Sequence, residues 1–135
     1  MHISYTPPPE EGDEQEWDFD PGRVRASVAE MIERRFGENY DAWQAGIQSG
    51  NIKARRVLLW HLLSLEHPRL RFEEVRDFYA DEVKVQFSVA ELTTIRDRLQ
   101  RANLSEDKRE QALAAIDLEM TEAMEREEGK AQSAT

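Results

Sequence analysis

The chain has 135 residues, no cysteine and a formal net charge of −10, with 39% hydrophobic and 34% charged side chains. That length accommodates one domain with its tails, and the missing thiols exclude disulfides and thiolate metal sites. Residues 1–20 carry seven acids and no lysine or arginine, residues 117–135 six acids against two bases, and residues 21–116 fifteen acids against sixteen bases. The acidity therefore belongs to the ends, and a rigid acidic face of the kind that mimics DNA is not expected. Residues 1–16 join the triplet Pro7-Pro8-Pro9 to glutamates, aspartate and glycine. Such a segment buries too little apolar surface to offset its ordering entropy, and predicts a disordered acidic leader with neither a secretory signal nor a membrane anchor.

Order is predicted from Trp17. Asp20 as N-cap, Pro21 at the first helical position and a Phe19–Val24 staple predict a first helix. Val24, Val28, Met31, Ile32 and Phe36 follow at helical spacing, and Gly37 stops it. A short helix over about 39–49 places Tyr40, Trp43 and Ile47 on one face before Gly50. A third, over about 52–66, contains Val57 to Leu65 (VLLWHLLSL), where only His61 and Ser64 are polar. A helix apolar on nearly all sides must be wrapped by others, and nine residues are too few to span a bilayer, which needs about 20. Pro68 ends it.

A fourth helix is predicted over about 72–79, with Phe72, Val75, Phe78 and Tyr79 inward. Val83 to Val89 alternates with period two, but with no second strand in view it is read as an extended connector. Ser88 opens S-V-A-E, a capping box for a helix carrying Leu92, Ile95, Leu99 and Ala102. The last helix starts after Ser105, with Glu106 and Asp107 at its positive end. The fold class expected is all-α: about six helices over residues 17–126 around a buried 52–66 helix, with 127–135 a disordered tail.

Chemistry-bearing patterns are sparse. His61 and His67 do not share a helix face, and HLLSLEH lacks the H-E-x-x-H zinc spacing, so no metal site is expected. Phosphate-cradling glycine loops and a G-x-S-x-G nucleophile are missing, and adjacent Glu73 and Glu74 point to different sides of a helix. Neither catalytic residues nor a cofactor are expected. The basic cluster Lys53, Arg55, Arg56, Arg69 and Arg71 is the one candidate for phosphate or nucleic acid, though solvating the flanks of an apolar helix is the preferred reading. Two features suit either partner binding or packing within the chain: Trp17 in its acidic surroundings, which folds back on the first helix or anchors a partner, and the narrow stripe Leu113, Ile116, Met120 and Met124, where methionine suits an adaptable surface.

Five stretches read together carry a family likeness: W-D-F-D-P (Trp17–Pro21), E-R-R-F-G (Glu33–Gly37), Trp43 with Gly50, A-R-R-V-L-L-W (Ala54–Trp60) and P-R-L-R-F-E-E-V (Pro68–Val75). Their arrangement resembles the tail assembly chaperones of long-tailed bacteriophages, particularly phages of actinobacteria, over residues 17–78. The resemblance implies a protein of the host cytoplasm that is absent from the mature virion. It also implies tape measure protein and tail tube protein as partners, with the chain promoting tube polymerisation without catalysis. Proteins of that family are commonly made in two forms, the longer by programmed ribosomal frameshifting; Gly129-Lys130 is either a slip site, which its codons decide, or an ordinary tail dipeptide. The alternatives are a structural head–tail protein of the virion and, less favoured, a nucleic-acid-binding regulator.

Overall fold

The period-two alternation of Val83-Lys84-Val85-Gln86 finds its partner at the start of the sequence. In His-Ile-Ser-Tyr, residues 2–5, Ile3 and Tyr5 fall on one side of an extended chain, and both are buried, Ile3 with 0% exposure. The computed structural model describes residues 1–133 and forms there a three-stranded antiparallel sheet, ordered β2-β1-β3, from β1 (His2–Tyr5), β2 (Gln15–Asp18) and β3 (Val83–Gln86). Strand β1 meets β2 with Ile3 opposite Trp17 and Tyr5 opposite Gln15. Beyond β1 the Thr6 N–H donates to the Glu82 carbonyl at 2.8 Å. Pro7, Pro8 and Pro9 then cannot donate, which ends the strand.

The described residues thus hold five α-helices and a sheet, and the all-α, six-helix expectation is corrected. Three local readings fall with it. Residues 2–5 are a strand within the supposed disordered leader. The supposed connector at Val83 is β3. The fourth helix is a single 3₁₀ turn, Phe72–Glu74, followed by extended chain. Eight residues rich in aromatic and charged side chains make a poor helix nucleus, and Phe78 instead packs edge-on against Tyr5, ring centres 6.3 Å apart.

Contacts divide the chain into two units, His2–Val85 and Gln86 onward with Met1. In the first, α1 (Ala26–Phe36), α2 (Tyr40–Ser49) and α3 (Ile52–Glu66) pack on one another. Helix α1 begins at Ala26, not at Pro21: the Asp20 carboxylate accepts from the Gly22 N–H at 2.9 Å and closes a local turn instead of capping a helix. Its C-terminus follows the sequence, with Gly37 at φ 89° donating to the Glu33 carbonyl. Helices α2 and α3 start on asparagine caps, the Asn39 and Asn51 carboxamide oxygens accepting from Ala42 and Ala54 N–H at 2.8 and 2.9 Å. Ala54, Val57, Leu58, Leu59, Trp60 and Leu62 are all buried, so α3 is the apolar post that its composition predicts.

Gly46 lies inside α2, where glycine weakens a helix, and the reason is proximity. A Cβ there would sit 2.9 Å from the Ala54 Cβ and 3.6 Å from the Phe36 ring. The Trp43 indole N–H spans the same junction to the Ala54 carbonyl at 3.0 Å, fully buried.

The second unit is a helical hairpin of α4 (Val89–Arg101) and α5 (Glu106–Ser133). The capping box that S-V-A-E predicts is present: Ser88 Oγ accepts from the Glu91 N–H at 3.1 Å, and Glu91 Oε1 from the Ser88 N–H at 3.0 Å. Helix α5 runs on through residues 127–133, which corrects the disordered tail; residues 134 and 135 lie outside the described residues. Acceptance by Glu127 from the Val89 N–H, at 3.3 Å, holds that stretch against the start of α4.

Candidate functional site

The side chains expected to bind a partner divide on inspection. Leu113, Ile116 and Met120 are half-buried, and with buried Ala123 they form the α5 side of the α4–α5 seam, facing an α4 whose Leu92 and Ile95 are buried. Met124 alone of that stripe stays substantially open, at 50% exposure. Trp17 is half-buried on β2 opposite Ile3.

The basic cluster is drawn apart by the fold. Arg55 donates through Nε and Nη2 to the Ile47 carbonyl at 3.3 and 3.1 Å, closing the end of α2. Lys53 Nζ lies 6.0 Å from the centre of the Phe36 ring. Arg71 donates from Nε to Glu74 at 3.0 Å, and the same carboxylate oxygen accepts from the Arg71 backbone N–H. That hydrogen bond holds the Glu74 pKa below and the Arg71 pKa above their ordinary values. Arg69 is exposed.

What the fold assembles in their place is a basic–aromatic face on the first unit. The Trp60 indole N–H donates to the Leu70 carbonyl at 3.1 Å, which draws the chain after α3 back across that helix and sets Phe72 edge-on to Trp60, ring centres 6.1 Å apart. Arg35 of α1 places its guanidinium 5.8 Å from both ring centres and pairs with Glu73 at 3.1 Å. Arg56 lies over Phe72 at 4.9 Å, its buried Nε without a hydrogen-bond partner. Two cations on one ring are tolerated because guanidinium is weakly hydrated and stacks on π faces. Beside this stack opens a cleft of about 300 Å³ lined by Met31, Arg34, Arg35 and Trp60. Met31 is 47% exposed, and the Arg34 side chain 75%, its nearest carboxylate Glu30 at 4.0 Å.

Composition and spacing did not single out Arg34 or Arg35, and they counted Met31 in the apolar stripe of the first helix, which its 47% exposure corrects. A signal existed: Ile32 and Phe36 mark the inward face of α1, so Arg34 falls on its outer side and Met31 and Arg35 on its flanks.

Two further polar features are structural. Tyr40 donates to the Pro21 carbonyl at 2.7 Å, and its pKa is pushed up to about 12, by burial first and by Asp20 second. His61 packs edge-on against Phe19 at 5.6 Å, and burial lowers its pKa. Among the described residues no group of three or more His, Cys, Asp or Glu is disposed to hold a metal ion, and no helix is long and apolar enough to cross a membrane. No family profile, curated protein or solved structure matches the chain.

Proposed function

We propose that this chain is a phage tail assembly chaperone that binds the tape measure protein through the basic–aromatic face and promotes tail tube polymerisation by contact, without catalysis. One observation carries the reading. Three of the stretches behind the resemblance, Glu33–Gly37, Ala54–Trp60 and Pro68–Val75, are far apart in sequence yet supply Arg35, Arg56 with Trp60, and Phe72 with Glu73 to a single surface. Arginine is enriched in binding hot spots, and methionine adapts to varied apolar partners. A long helical protein offering apolar ridges and carboxylates is the kind of partner such a face takes. The nucleic-acid reading is less well supported, because Arg55, Arg71 and Arg35 are each committed to acceptors within the chain.

The test is capture of a cognate tape measure protein by the full chain on co-expression. Met31→Ser with Arg34→Glu alters two exposed side chains and should abolish capture while circular dichroism stays that of the wild type. Capture undiminished by this pair sinks the proposal. Recovery of the chain as a stoichiometric component of purified particles would support the structural-protein reading instead.

A further inference from the structure

Helix α5 carries an apolar side chain that its own hairpin does not explain. Ala123 is buried in the seam, and five residues back, on the opposite side of an α-helix, stands Leu118 with 64% exposure. Ala114 and Glu122, one turn to either side, and Glu125, two turns on, share its outward face, and all three are exposed. From Asp117 to Glu128 the helix bears six acids and a single base, Arg126, which donates to the Phe87 carbonyl at 3.3 Å. The outer side of α5 is thus an exposed leucine in an acidic surround. On the first unit, Met31 beside Trp60 is an exposed apolar centre in a basic surround. Each supplies the shape and sign that the other lacks.

We infer that α5 of one copy docks on the basic–aromatic face of a second copy, with Leu118 against Met31, and Glu122 and Glu125 toward Arg34. The inference rests on reading that face as a binding surface, and adds its occupant when no other protein is present. The contact joins two different surfaces, so every copy in a pair keeps one unused face or one unused helix, and association continues into chains or closes into a ring. One helix laid on one face is a small interface, so the assembly is reversible and concentration-dependent. A partner that takes the face must displace α5 first.

Sedimentation velocity on the full chain tests this. At low salt the weight-average mass should climb above the 15.7 kDa monomer with concentration, and return to it as salt screens the opposed charges. Met31→Ser with Arg34→Glu, which disables the face, and Glu122→Lys with Glu125→Lys, which disables the helix, should each remain monomeric while retaining wild-type circular dichroism. An equimolar mixture of the two variants should form dimers and stop there, because the first contributes a working helix and the second a working face. A wild type that stays monomeric, a variant that associates as the wild type does, or a mixture that fails to pair overturns the inference. Capture of the tape measure protein is scored separately. A monomeric wild type that captures it removes only the self-contact, whereas self-association without capture supports this contact and removes the chaperone reading.

Discussion

Replacing Gly46 by alanine sets two effects of opposite sign against each other. In the interior of α2, alanine is favoured over glycine by about 0.5–1 kcal/mol, because glycine loses more backbone entropy on folding. Against this stands the new methyl group, which would lie 2.9 Å from the Ala54 Cβ and 3.6 Å from Phe36 Cζ. The Ala54 Cβ is fixed to the backbone of α3 and cannot rotate away, so relief requires α2 and α3 to separate. Forcing a methyl into a packed junction costs about 1–3 kcal/mol. Steric strain wins, leaving a net loss of about 1–2 kcal/mol, or a fall in melting temperature of about 5–15 °C for a unit of this size. All three tryptophans, Trp17, Trp43 and Trp60, belong to the His2–Val85 unit, so their emission reports its unfolding. The partner substitution Ala54→Gly, combined with Gly46→Ala, should recover part of the loss, giving a coupling term in a double-mutant cycle. A Gly46→Ala protein as stable as the wild type, or more so, would refute the close approach and with it the assigned role of this glycine.

Leu59→Asp or Leu62→Asp places an unpaired carboxylate among fully buried side chains and should unfold the first unit, seen as loss of the tryptophan-monitored transition. Ser88→Ala removes the acceptor of the Glu91 N–H and should weaken the start of α4 by about 1 kcal/mol, read as faster hydrogen exchange in that turn. His61, its pKa lowered by burial, binds a proton less readily folded than unfolded. Its neutral ring therefore contributes fully above pH 6.5, the unfolded value, and that contribution is lost as pH falls through 6.5 toward the folded value. His61→Leu should consequently show a flatter acid limb than the wild type when urea midpoints are compared across that range.

Helix α3 was legible because its local signals agree: a continuous apolar run and Pro68 beyond the end. The capping box at Ser88 was legible for the same reason. The sheet was not, because β1 is four residues long and is followed at once by prolines and acids, so any window wide enough to judge order averages Ile3 and Tyr5 away. Its partner β3 lies almost at the other end of the first unit, a separation that no local pattern can bridge. Asp20-Pro21 offered a sound N-terminal signature that lost to a local turn closed by the same aspartate. The candidate face was half legible. Arg56 and Trp60 sit in one motif, but Arg35 reaches them only through the packing of α1 on α3, a tertiary fact that residue spacing does not encode.

The sheet order has a consequence for synthesis. The β1–β2 hairpin can close as soon as Asp18 has cleared the ribosome, but β3 follows only after α1, α2 and α3 have been translated. At about 5–20 residues per second, the nascent chain carries β1 with one edge unpaired for several seconds. In that interval the free edge of β1 can template a strand from a neighbouring nascent chain on the same polysome. Ribosome stalling between Asp18 and Val83 would prolong the exposure, so such stalls should yield aggregates whose core is the hairpin, while release after Gln86 should yield soluble protein.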